Sequence, residues 1–330
     1  MTLNGSFGGA SIFDRMLESN RIIPPAMDAF VHNLIRAHAE QDPDLQAICS
    51  SDGNLSYGEL EDLSSQLATH LVTQGVGPEV IVPLCFEKSK WAIVGLLAIL
   101  KAGGAFALLD PSQPVARLEY FVKQAGATFA LSSSACLGTC QNLVERSFVV
   151  DAEAFLKLKK APVHSSAKLI NAAYIIFTSG STGVPKAVII EHSQLSTTAT
   201  YCGQRMGYGK KSRVFQFASY AFDACITDIF ATLVHGGTVC IPSEWERNNA
   251  IVDAMNRMEV TNAKFTPSLA TNLTFENVPT LKTLILGGES ASPSFIEKWA
   301  SKLRLILVYG EKFLAIFSAK NWLSFRYRPH

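Results

Sequence analysis

The sequence predicts an α/β fold made of two stacked αβ subdomains with mostly parallel sheets. Strand-like apolar runs alternate with segments of helical period, the pattern that parallel sheets need for their crossovers. The alternation occurs on both sides of a polar stretch rich in Lys, Pro and Ser at 157–168, which is expected to link two halves. With 330 residues, 48% of them hydrophobic, the chain can bury the large core that such layers require.

The elements follow in order. Ser56-Tyr57-Gly58-Glu59 fits a capping box, and Leu60, Leu63, Leu67 and Leu71 follow at helical spacing before Gly75. The apolar run 80–86 predicts a strand, 91–101 a helix closed by Gly103-Gly104, and 106–109 a strand ended by Asp110-Pro111. A helix over 115–124 and a strand over 128–131 complete the first half. In the second half, strands are predicted at 214–218, 238–241, 281–286 and 305–309. Helices are predicted at 223–234, at 251–258 and after Ser292-Pro293, a cap followed by an N1 proline.

Charge excludes some functions. The 29 basic and 28 acidic residues leave a formal charge of +1 with no basic cluster, so no nucleic-acid partner is expected. The longest apolar stretch, 91–100, is too short to span a bilayer and reads as a buried helix, so no membrane partner is expected. The first twenty residues are not a signal peptide, and seven mostly scattered cysteines suit a reducing compartment; a cytoplasmic location is expected. Cys136 and Cys140 are close in sequence but have no second ligand pair for zinc, and no metal-ligating residue is assigned.

Chemistry concentrates in Thr178-Ser179-Gly180-Ser181-Thr182-Gly183-Val184-Pro185-Lys186, flanked by the apolar runs 174–177 and 187–190. The two glycines allow positive φ and close backbone approach, so successive N–H groups can form an anion-binding nest. Four hydroxyls can donate to phosphate oxygens, and Lys186 adds a point charge. This is not a Walker A loop, because Val184-Pro185 precedes the lysine and a strand follows.

The string resembles the phosphate loop of the adenylate-forming, AMP-dependent synthetase/ligase superfamily. Further segments are similar to its motifs in the expected order: Leu55 to Leu60, Leu100 to Phe106, Leu109-Asp110-Pro111, Phe222-Asp223-Ala224 and Leu286-Gly287-Gly288-Glu289. The resemblance spans roughly 30–310 and implies the large N-terminal part of the adenylate-forming fold. It also implies ATP and Mg²⁺ as cofactors. Thr178, Ser179, Gly180, Ser181, Thr182, Gly183 and Lys186 would hold the phosphates, and Gly287, Gly288, Glu289 and Tyr309 would form the adenine side.

Phe222-Asp223 directs the resemblance toward nonribosomal peptide synthetase adenylation domains. In those relatives this aspartate pairs with the substrate's α-ammonium, and a buried cation needs such a partner. Asp223 can also cap the helix that begins beside it, and the two roles can coexist. Phe222, Thr227, Lys264 and Ile285 would line the substrate pocket, where a lysine would suit an acidic or polar side chain. The implied partners are an amino acid and, in trans, a peptidyl carrier domain. An acyl- or aryl-acid ligase and a non-catalytic nucleotide-binding remnant remain the alternatives.

The resemblance ends at Gly310. The family continues Tyr-Gly-Pro-Thr-Glu, whereas this chain continues Tyr309-Gly310-Glu311-Lys312-Phe313. The implied division is a leader over 1–27, the adenylation region over 28–310 and a divergent tail over 311–330. A C-terminal subdomain and its catalytic lysine are not recognised in this truncated chain, so weakened activity is expected.

Overall fold

The computed structural model describes residues 24–178, 186–309 and 315–318. They form two sheets with helices on both faces. The smaller sheet holds β3 (Ile81–Cys85), β4 (Ala105–Leu109), β5 (Phe129–Ser132), β6 (Arg146–Val149), β7 (Ala172–Thr178) and β8 (Lys186–Glu191), in the order β6-β5-β3-β4-β7-β8. The larger has the order β14-β13-β12-β11-β9-β10-β1-β2. Its strands are β1 (Gln46–Ser50), β2 (Leu55–Ser56), β9 (Arg213–Phe215), β10 (Thr238–Ile241), β11 (Asn262–Phe265), β12 (Thr283–Leu286), β13 (Arg304–Tyr309) and β14 (Ala315–Ser318). The pairing is parallel except for β1–β2, β7–β8 and β13–β14.

Sheet membership departs from the expected division into sequential halves. The early strand β1 pairs with β10 of the larger sheet, Ile48 opposite Val239. The stretch 157–168 does not separate the sheets either, because β7 and β8 after it rejoin the smaller one. Periodicity assigns an element type but carries no pairing information. From Leu158 the stretch is nonetheless irregular and lies along α2 (Tyr57–Thr73), where Gln66 Nε2 donates to the Leu158 carbonyl at 2.6 Å and Thr69 Oγ1 to that of Ala161 at 2.8 Å.

The predicted capping box opens α2. Glu59 N donates to Ser56 Oγ at 3.2 Å and Ser56 N to Glu59 Oε2 at 2.8 Å. The apolar run predicted to be a buried helix is α3 (Lys90–Ala102), buried on every side from Ala92 to Ala102 and closed by Gly103 at φ 89°. The main core lies between the sheets. There Phe106 of β4 stacks on Tyr174 of β7 and on Phe230 of α8 (Ala224–Val234), at centroid distances of 5.3 and 6.0 Å. A second core around Trp299 covers the far face of the larger sheet. The far face of the smaller sheet packs Cys85, Cys136 and Cys140 as small apolar groups beside Leu118 and Phe121. No described helix is long and apolar enough to cross a membrane.

Candidate active-site cleft

Residues that follow β4 of the smaller sheet and β9 of the larger sheet meet at one pocket, and the ends of parallel strands are where open α/β sheets bind ligands. The pocket is lined by Asp110 just after β4, Arg117 of the helix Val115–Ala125 and Tyr174 of β7, and from the α8 side by Tyr220, Phe222 and Ile226. Sequence reasoning missed the smaller sheet's contribution, since Tyr174 read only as part of an apolar strand.

Asp223 stands immediately before α8 in helical geometry, φ −60° and ψ −23°, and makes no side-chain cap bond. Capping is therefore not its role in this structure. It is exposed, as is Phe222 at 64%. Burial first, and then the nearby Asp223 carboxylate, push the Tyr174 phenol well above its usual range, so the two groups share one neighbourhood.

Adjacent strands bring the other predicted pocket residues together. Lys264 of β11 lies opposite Ile285 of β12, which lies opposite Ile306 of β13. Ile285 is fully buried in a cluster with Met206, Tyr208 and Ala231 and is not among the residues that line the pocket. Lys264 is not a free cation. Its Nζ lies 2.7 Å from Asp228 Oδ1 and 3.3 Å from the Ala224 carbonyl, both on α8. Asp228, with side-chain exposure of 1%, was absent from the sequence reasoning. A lone carboxylate inside the apolar helix Ala224–Val234 was the available signal. Burial raises its carboxyl from the usual range, while the Lys264 charge opposes that rise. Thr227, one residue before Asp228, is half-buried on the same helix.

The turn after β12 has the expected form. Gly288 takes φ 81°, a conformation that favours glycine, and a Cβ on Gly287 would meet the Val308 carbonyl at 3.3 Å. Glu289 accepts from Ser268 N at 3.2 Å and from its hydroxyl. This joins the turn to α11 (Pro267–Ala270), whose Thr266 cap sequence reasoning also missed. Tyr309 ends β13 and pairs with Ala315 of β14.

The proposed phosphate loop is carried by an antiparallel hairpin, as its flanks predicted. Thr178 of β7 pairs with Lys186 of β8, and Lys186 is exposed. Ser179, Gly180, Ser181, Thr182 and Gly183 lie outside the described residues. Among the described residues, no group of three or more His, Cys, Asp or Glu could hold a metal ion.

Comparison with known proteins agrees with the motif resemblance. The sequence pattern of the AMP-binding enzyme family matches residues 35–311. The nonribosomal peptide synthetase TES of Alternaria alternata is 45% identical over 293 residues, which cover 88% of this chain and 6% of that protein. N-benzoylphenylalaninol synthetase apmA of Penicillium brevicompactum is 44% identical over 309 residues, 93% of this chain and 13% of its own length. The chain thus spans a small part of these relatives. Among solved structures, the nonribosomal peptide synthetase FmoA3 with AMPPNP bound superposes with a TM-score of 0.80 at 23% identity, covering 91% of this chain and 33% of that one. VinN in complex with 3-methylaspartate gives a TM-score of 0.77 at 18% identity, covering 90% and 83%. The chain belongs to the AMP-binding enzyme family, as a relative of nonribosomal peptide synthetases.

Proposed function

We propose that this chain binds ATP and an α-amino acid and joins them as an aminoacyl adenylate for nonribosomal peptide synthesis. The observation that carries the amino-acid reading is Asp223, an acidic group at the mouth of α8 with no cap to make. It follows Phe222, which lines the cleft, and its charge acts on Tyr174 of the same lining, which suits it to receive an α-ammonium.

In the proposed reaction a carboxylate oxygen of the amino acid bonds to the α-phosphorus of ATP. The bond from that phosphorus to the bridging oxygen breaks, and pyrophosphate leaves with the electron pair. The protein's part is positioning and charge neutralisation. Asp223 would orient the amino acid, residues 178–186 would hold the β- and γ-phosphates, and the Gly287-Gly288 turn would give adenine close backbone approach. Mg²⁺ fits this arrangement as an ion held mostly by phosphate oxygens with few protein ligands, and it would supply charge neutralisation. A carrier-domain thiol would then attack the acyl carbon and release AMP. The departure from Pro-Thr-Glu after Gly310 removes two expected polar contacts, so adenylation by these 330 residues is proposed to be slow even where binding is retained.

The phosphate assignment is tested by Lys186→Ala. Loss of one charge-assisted contact is expected to weaken ATP binding about tenfold or more by calorimetry. Unchanged ATP affinity would remove Lys186 from the phosphate site.

A further inference from the structure

We propose that Lys88 is a positioning residue for the substrate-ammonium turn, gripping residues 216–221 from the opposite sheet so that Phe222-Asp223 is set at the cleft. The proposal rests on the reading of Asp223 given above.

Lys88 lies between β3 and α3 and is only 4% exposed, a burial that lysine rarely reaches without partners. Its ammonium donates to Gln216 Oε1 and to the Ala218 carbonyl, each at 2.5 Å, and lies 4.3 Å from the centroid of the Tyr220 ring. Gln216 is fully buried; its Nε2 donates to the same Ala218 carbonyl at 2.9 Å, and its backbone N to Cys240 at 2.8 Å. A second grip also comes from the smaller sheet, where Ser219 Oγ donates to Asp110 just after β4. Against burial, which raises it, hydrogen bonds from Ser112 and Ser219 hold the Asp110 carboxyl below its usual range. Ser219 in turn accepts from Ala221 N at 3.0 Å and from Phe222 N at 3.1 Å. The segment before Asp223 is thus fixed across the interface between the sheets by Lys88, which lies outside the phosphate loop and the pocket lining, and by Asp110, which also lines the pocket.

The charge on Lys88 is tuned by its surroundings. Burial pulls its ammonium down to about 8. Glu244 on α9 (Glu244–Asn249) and Asp228 on α8 favour the charge and Arg247 on α9 opposes it, while burial pushes the neighbouring Cys225 thiol up to about 12 and keeps it neutral. Asp52, on the side of α3, accepts from Ser89 Oγ at 2.7 Å. Between pH about 8 and the free lysine value of 10.5, the folded chain has released a proton that the unfolded chain keeps. Global stability therefore rises with pH in that window, while the grip on the turn weakens. A purely structural role would move both together.

The test is calorimetric binding of the tightest member of an aminoacyl-sulfamoyl adenosine panel to the wild type, Lys88→Met and Asp223→Ala. Lys88→Met is expected to lose about tenfold in analogue affinity with ATP affinity unchanged. If Asp223→Ala loses affinity and Lys88→Met does not, the role of Lys88 is overturned and the Asp223 reading stands. If Asp223→Ala binds like the wild type, the Asp223 reading itself fails. Should Lys88→Met not fold, the methyl resonances of Ala218, Ala221 and Ala224 in the unliganded wild type are followed from pH about 6.5 to 9.5. A shared transition near pH 8 is expected, and methyls that stay flat overturn the proposal.

Discussion

Asp223→Ala is expected to lower affinity for the amino-acid part of the substrate about 100-fold, while ATP affinity stays within about twofold. An α-ammonium taken from water into an apolar cleft loses its hydration and needs an anion in return. Asp223 makes no cap bond, so the substitution removes no helix-terminal hydrogen bond. Its exposure keeps the stability cost of the substitution small, and the loss should be confined to binding. Calorimetry with an aminoacyl adenylate analogue and, separately, with ATP measures both arms. An acyl- or aryl-acid ligase would lose little in either.

Lys264→Met is expected to destabilise the chain by about 3–5 kcal/mol in chemical denaturation. The reason lies in the partner left behind. Asp228 is buried and has Lys264 as its ion-pair partner at 2.7 Å, so removing the lysine strands a carboxylate in the core. The Asp228 carboxyl is already raised by burial against the Lys264 charge, and losing that charge raises it further. The folded variant then holds a proton that the unfolded chain releases, so its stability rises as pH falls toward the acid range. The deficit should shrink on moving from neutral to mildly acidic pH. Replacing both residues, Lys264→Met with Asp228→Leu, should recover most of the loss, because a buried ion pair and an apolar pair of similar volume are close in energy. A single variant as stable as the wild type at neutral pH would contradict the pairing.

Elements whose evidence is local were legible in the sequence. The capping box at Ser56-Glu59, the apolar helix Lys90–Ala102 and the hairpin flanks of the phosphate loop all follow from nearest-neighbour chemistry. Partnerships across the fold were not. β1 crosses to the larger sheet because strand pairing is decided by packing between distant segments. The resemblance assigns Lys264 and Ile285 to one pocket without saying that they face each other across β11 and β12, and the neutralisation of Lys264 by Asp228 depends on how α8 lies over β11. Nothing in the sequence around Lys88 distinguishes it from other charges between a strand and a helix. Only the approach of the two sheets reveals it as buried against Gln216, Ala218 and Tyr220.

The central claim, that Asp223 reads an α-ammonium in an AMP-binding cleft, is tested most directly by pairs of ligands differing in one group. Each aminoacyl-sulfamoyl adenosine is compared with the acyl-sulfamoyl adenosine that lacks only the α-amine. For the preferred side chain, the amine-bearing ligand should bind the wild type at least about tenfold more tightly, and Asp223→Ala should erase that advantage. Equal binding of the two ligands by the wild type, or an amine preference that survives Asp223→Ala, would contradict the account.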